Sequence, residues 1–206
     1  MADRRHGAPT PPTDTTVQSR DWFGETLSGE SHHNTAFVEC DMSEATTNGS
    51  VFTECTFRNT RFNASTHNDA GFINCTVIGC SFFSAVLTRC KLVGSMFDRC
   101  SFGMMKVIEG DWSLVGLPGA DLRSASFTHV RMREVDLTGA RCDGASITDG
   151  DLSGAWLHNA SLAGADLRRT TFDTIDPLTT GLRGAVITVE QAIVIASAVG
   201  LDVRPD

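Results

Sequence analysis

Six histidines, seven cysteines and a recurrent aspartate are the residues of this chain with chemistry to offer. Imidazoles and thiolates at short spacing would hold zinc. Paired carboxylates would serve general acid–base catalysis, and a thiol beside a base would be a nucleophile. The spacing supports none of these. There is no Cys-x-x-Cys pair, no histidine at ligand spacing from a cysteine, no glycine-rich phosphate loop and no nucleophile elbow. Cys75 and Cys80 are five apart, and Asp111, Asp121, Asp136, Asp151 and Asp166 also differ by multiples of five. His32 and His67 fall in the same period, His33, His129 and His158 fall outside it, and His6 lies near the start. The reactive residue types follow a structural rhythm, so the expectation is a protein that is not an enzyme and needs no cofactor and no metal.

That rhythm has a period of five and does not slip. Of the 34 positions from Trp22 to Ile187 whose number leaves remainder 2 on division by five, 30 are apolar, where a 41% apolar composition would place about 14. This centre column holds ten of the twelve phenylalanines. Two residues earlier runs a column of small side chains, among them Cys40, Cys55, Cys75, Cys80, Cys90, Cys100, Ala120, Ala125, Ala140 and Ala165. Two residues after the centre, glycine is common, as at Gly24, Gly49, Gly79, Gly119 and Gly164. Residues two apart in extended backbone share a face, so the small and centre residues point inward together. Glycine then serves the corner. A helix cannot keep a five-residue stripe on one side, and a flat sheet breaks the alternation at every fifth residue. What fits is a solenoid of short strands around a filled axis.

The repeat resembles the pentapeptide-repeat family, through units such as Ala120-Asp121-Leu122-Arg123-Ser124, Ala165-Asp166-Leu167-Arg168-Arg169 and Gly150-Asp151-Leu152-Ser153-Gly154. The resemblance implies an all-β, right-handed quadrilateral β-helix with four pentapeptides per turn. Residues 20 apart then stack, and the rod has about eight and a half coils and a length of roughly 40 Å at the ~4.8 Å strand spacing. Phe62, Phe82 and Phe102 fall on one face, and Phe37 and Phe57 on another. Cys55 and Cys75, and Cys80 and Cys100, come within disulfide distance by spacing alone; the column's equal acceptance of Ala and Ser favours small buried hydrophobes. Arg20, Glu25 and Glu30 in small-residue positions suggest a loose first coil. Met105, Val107 and Val115–Gly119 suggest a local distortion in mid-rod.

Three segments are expected: a disordered tail over 1–19, the β-helix over 20–187, and a C-terminal capping and dimerisation segment over 188–206. Thr188 and Gln191 read as a capping box, opening a helix from Val189 to about Val199 that Gly200 ends. That helix is apolar nearly all round and needs burial on more than one side. The reading is a homodimer through Leu182, Ile187, Val189, Ala192, Ile193, Ile195, Ala196 and Val199, with a simple monomeric cap as the alternative.

A filled rod offers little concavity, so its exterior is the functional candidate. The chain has 25 acids and 17 bases, a formal charge of -8, which argues against direct nucleic-acid binding. No apolar run approaches a membrane span and no secretory signal opens the chain, so the cytoplasm is the default location. Asp111, Asp121, Glu134, Asp136, Asp151, Asp166, Asp173 and Asp176 are the candidate partner-binding acidic face. The unbroken register, Leu117-Pro118-Gly119, the stretch Gly184–Ala192 and the Ala-rich helix resemble the gyrase-protecting group of the family, its mycobacterial MfpA type most and the Qnr type more widely. That resemblance implies a dimeric DNA mimic that binds DNA gyrase and lessens poisoning by fluoroquinolones. Qnr proteins carry projecting loops and this chain has none. The alternative is a scaffold for a partner that is not a topoisomerase.

Overall fold

The computed structural model describes residues 11–173 and 175–204. Over most of them the chain is a parallel β-solenoid in which residue n pairs with residue n+20: Phe37 with Phe57, Phe52 with Phe72, Leu87 with Val107. Four segments of five residues make each coil, so the rod has four faces. We name them by a centre residue. The Phe37 face is a five-stranded sheet, the His67 face a seven-stranded sheet, and the Phe72 face begins as a three-stranded sheet. The Phe62 face is held by single bridges, Asp21 to Asp41 to Arg61 to Ser81 to Ser101. The His67 face continues past its last strand through Ser146 to Asp166 to Val186. One strand, Thr15–Gln18, pairs with Thr35–Val38 and carries the solenoid into the stretch expected as tail. The first ten residues of that tail lie outside the described residues.

The two inward columns fill the axis. Phe37, Phe52, Phe57, Phe62 and Phe127 are essentially sealed from water. The expected phenylalanine stacks form: Phe37 on Phe57 at 4.9 Å, Phe62 on Phe82 at 4.7 Å and Phe82 on Phe102 at 5.8 Å between ring centroids. Coaxial stacking is a consequence of the register, because each ring lies one strand spacing above its predecessor. The first coil is regular rather than loose. Trp22 and Leu27 are buried, and the Arg20 guanidinium lies over the Trp22 ring, 5.7 Å from its centre.

At the corners, twenty non-glycine residues, Glu44, Asn59, Arg89 and Asn159 among them, adopt the left-handed conformation. Glycine is therefore favoured there and not required. Each such residue costs roughly 1–2 kcal/mol, and the ladder offsets it, as when the Glu44 N–H donates to the Asn63 carbonyl. Mid-rod, Met105, Val107, Val115 and Leu117 are ordinary core residues. Pro118 is harmless because the ladder runs through its neighbours: the Leu117 N–H donates to Asp136 O and the Gly119 N–H to Thr138 O, each at 2.8 Å. The departure is at Gly110 instead. It sits in the small-residue column with φ +98, and a Cβ there would come 2.2 Å from the Cys90 carbonyl oxygen.

The C-terminal helix spans Val189–Ala198, with the full capping box between Thr188 and Gln191 and with Gly200 left-handed after it. Gln191 does a second job. Its Nε2 donates to the carbonyls of Leu167 and Thr170, both at 2.6 Å, satisfying acceptors that in earlier coils the next coil would take. Val194 and Ile195 pack against the top of the core.

Gly110→Ala should lower stability by about 3 kcal/mol, combining left-handed strain with a backbone clash. Gly119→Ala, at φ +66 with nothing within 4 Å of the added carbon, should cost about 1 kcal/mol. Urea midpoints of the two variants test the difference.

Candidate functional site

His67 and the cysteines are built into the rod. His67 is sealed inside the rod. The Ser65 hydroxyl donates to the Phe62 carbonyl at 2.7 Å and therefore accepts from His67 Nε2–H at 2.9 Å; His67 Nδ1 then accepts from the Thr47 hydroxyl at 2.7 Å. Every polar atom of this buried trio is matched with the imidazole neutral, and burial holds its pKa down at about 4. His32 is half-buried, stacked on Phe52 and 2.8 Å from Glu30. All seven thiols are free and only Cys100 is partly exposed. Six of them donate to main-chain carbonyls, as Cys75 to Phe52 O and Cys90 to His67 O, each at 3.3 Å, and burial pushes the Cys90 thiol up to about 11 and Cys142 up to about 12. Among the described residues no group of three or more His, Cys, Asp and Glu is placed to hold a metal ion.

The eight candidate acids do not form one face. Asp121 is on the Phe62 face, Asp166 on the His67 face, Asp111, Asp151 and Asp173 on the Phe72 face, and Asp136 and Asp176 on the Phe37 face, with Glu134 at the corner joining the last two. Their pairing divides them further. Asp111 meets Arg131 at 3.2 Å, one coil on. Asp121 meets Arg123 at 2.7 Å and Arg141 at 2.9 Å. Arg133 pairs with Asp151 and Arg168 with Asp166. The Arg123 guanidinium holds the Asp121 carboxyl down at about 2, and Arg168 lowers Asp166 in the same way. The other four, Glu134, Asp136, Asp173 and Asp176, make no ion pair among the described residues. They gather along the edge between the Phe72 and Phe37 faces at the C-terminal end. Linear order hides this, because Arg131 and Arg133 stand 20 and 18 residues from their partners Asp111 and Asp151 in sequence. Separation by 20 is the signal that reveals such partners.

The same edge carries a residue the sequence reading passed over. Trp156 occupies an outward position between Ala155 and Leu157 and is 58% exposed. On the Phe37 face the bridges run from Gly116 to Asp136 to Trp156 and stop there. The next segment turns away: the Asp176 carbonyl accepts from the N–H groups of Thr179 and Thr180, and Leu178 projects into solvent, 87% exposed. A shallow groove of about 420 Å3 opens between this turn and the Trp156 rung, with His158 and Asp176 on its walls.

The candidate dimer residues divide as well. Leu182, Ile187 and Ile195 pack on the chain's own core, and Ala196 is half-buried. Val189, Ala192, Ile193 and Val199 stay exposed, joined by Leu201 and Val203. Capping the rod therefore covers one side of the helix and leaves the other apolar side bare. Among the described residues no helix is long and apolar enough to cross a membrane.

Eight copies of the motif described as pentapeptide repeats match residues 117–154 and 151–173, and the register of that segment runs through the rest of the rod. No curated protein matches its sequence. Among solved structures it is similar to HetL, a pentapeptide-repeat protein involved in heterocyst differentiation regulation in the cyanobacterium Nostoc sp. strain PCC 7120. That likeness has 17% identity, covers 85% of this chain and 86% of HetL, and has a TM-score of 0.60. It is also similar to full-length QnrB1, a plasmid-mediated fluoroquinolone resistance protein, at 17% identity over 90% of this chain and 100% of that one, with a TM-score of 0.55. At these identities the likeness is one of fold.

Acid should uncover the buried histidine. Its folded pKa, near 4, lies below the unfolded value of about 6.5, so the unfolded chain binds the extra proton between those limits. The resulting stability is full above pH 6.5 and is lost as pH falls to 4, on the order of 3 kcal/mol. Asp41 and Asp121, held near 2, lose their contribution only below about pH 4. Urea midpoints at pH 7 and pH 4.5 should therefore differ less in Thr47→Val/His67→Leu than in the unaltered protein.

Proposed function

We propose that this protein is a non-enzymatic, cytoplasmic DNA mimic that binds DNA gyrase, modulates its activity and protects it from fluoroquinolones, acting as a dimer joined through the C-terminal helices. The observation that carries the reading is the 20-residue ladder that runs from Thr15 to Val186 and gives way only on the Phe37 face after Trp156, among the described residues. It makes a straight rod with no inserted loop, whose charge lies on the outside at a repeat fixed by strand spacing. Duplex DNA is also a rod with regularly spaced negative charge, and a protein that grips DNA with a basic saddle would meet in this rod a competing ligand. The resemblance of the C-terminal half to the gyrase-protecting group supports the reading, as does the shared fold with QnrB1.

The charge pattern refines it. Arginine neutralises half of the candidate acids, so mimicry would rest on Glu134, Asp136, Asp173 and Asp176. In a dimer the two edges would lie on either side of the joint, because the same end carries the bare helix face. A two-fold partner covering Val189, Ile193 and Val199 would complete the burial that the apolar helix calls for.

A second reading is a scaffold for a partner that is not a topoisomerase. HetL favours it, since a protein of the same fold takes part in differentiation regulation. Enrichment of some other protein, without gyrase, in a pull-down would select it.

Two outcomes are expected. Purified protein inhibits gyrase supercoiling in proportion to its concentration, and raising salt from 50 to 200 mM weakens the effect at least several-fold; no binding even at low ionic strength would remove the proposal. In sedimentation equilibrium the protein is a dimer, and Ile193→Arg, at a site 46% exposed, makes it a folded monomer.

A further inference from the structure

We propose that the groove beside Trp156 is a receptor for an arginine side chain of a basic protein partner. Partner identity rests on the function proposed above; the binding chemistry does not.

Three features of the edge combine here. The Phe37 face loses its next rung, because the turn from Asp176 to Thr180 swings away and leaves Trp156 as the last residue of its ladder. An indole 58% exposed is then left as an open aromatic surface. It has no covering neighbour of its own kind, unlike the buried Trp22 and Trp112. Second, the indole is flanked along the rod axis by acids. Asp136 is its bridge partner one coil below, and Asp176 forms the wall of the groove above. Each carboxylate is fixed in place by its own turn: Asp136 Oδ1 accepts from the Thr138 N–H, and Asp176 accepts from the Leu178 N–H through Oδ1 and the Thr179 hydroxyl through Oδ2. Third, neither acid has an ion pair among the described residues. Five other acids in this outward position, Asp41, Asp111, Asp121, Asp151 and Asp166, are each matched by an arginine; Asp21, in the first coil, accepts from the Phe23 N–H instead.

A cation is the occupant that this arrangement fits. The face of an indole attracts positive charge through its quadrupole, and a planar guanidinium stacks on it while its N–H groups remain free at the rim. Carboxylates on both sides accept those N–H groups in the forked geometry that arginine offers. An anionic ligand would be repelled, and a purely apolar one would leave both carboxylates facing it unmatched. A groove of about 420 Å3 takes one long side chain and the main chain beside it. The partner would place in it the arginine that elsewhere contacts a phosphate, which makes this a specific contact within the general acidity of the edge.

The probe is hexa-arginine, with hexa-citrulline as its uncharged counterpart, titrated into the full chain labelled with 15N. Three tryptophan indoles give three resonances, and Trp156→Phe assigns the one that matters. Hexa-arginine is expected to shift the Trp156 indole resonance at saturation and hexa-citrulline is not. Trp156→Ala should weaken binding about ten-fold without changing the melting temperature, Trp156→Phe should restore part of it, and Asp136→Asn/Asp176→Asn should match the loss. Asp121→Asn, on another face, should leave affinity unchanged. Equal affinity in Trp156→Ala, or an indole resonance that does not move, overturns the receptor and reduces the binding to diffuse charge. Hexa-arginine bound at Trp156 with no gyrase inhibition would leave the receptor standing and remove the gyrase reading. Gyrase inhibition unchanged in Trp156→Ala would keep DNA mimicry and remove this contact from it.

Discussion

A parallel backbone ladder that joins residue n to residue n+20 governs everything else in this molecule. It is set by hydrogen bonds that each corner and each centre residue make to the coil next to them, such as Phe62 N–H to Ser81 O and Ala64 N–H to Phe83 O. Because each bond fixes the next coil's height and rotation together, each inward side chain stacks on the residue 20 positions away. The phenylalanine columns, the buried thiols and the Thr47–His67–Ser65 trio are products of that constraint. So is the tolerance of left-handed corners at ordinary residues, since local strain of 1–2 kcal/mol is small against a ladder repeated along the whole rod.

The ladder also organises charge. On a globular surface, exposed ion pairs contribute little and their partners are hard to foresee. Here an outward aspartate has a defined neighbour above and below, and arginine is frequently that neighbour, as at Asp41 with Arg61, Asp69 with Arg89 and Asp149 with Arg169. These pairs lie between coils, so they favour one register over a slipped one. They also cancel charge locally. The net charge of -8 is consequently uneven in space, and four of the candidate acids that remain without an ion pair, Glu134, Asp136, Asp173 and Asp176, lie along one edge beside an exposed tryptophan.

The two ends of the rod solve the problem of an open sheet differently. At the start, the Arg20 guanidinium lies over the Trp22 ring. At the finish, Gln191 hydrogen-bonds carbonyls of the last coil while closing its own helix N-terminus, so one side chain joins cap and rod. A solenoid needs such ends, because uncovered rungs would pair with another chain. On the Phe37 face that cover is missing, and there the Trp156 groove lies.

Period, column composition and capping signals determined the class of fold, the phenylalanine stacks and the helix boundaries, because each depends on residues within one coil or on a strict repeat. Thr188 and Gln191 could be read as a capping box from spacing alone, and Phe62, Phe82 and Phe102 as neighbours. The tertiary structure decided what depends on closure of the coil: that the eight acids spread over four faces, that arginines from an adjacent coil or the same turn neutralise half of them, that the departure sits at Gly110 rather than at Leu117-Pro118-Gly119, and that Trp156 is the last bridged residue of its ladder among the described residues. The physical reason is that exposure and the pairing of charges between coils are set by neighbours about 20 residues away and by where the ladder ends, neither of which is a property of any single five-residue unit.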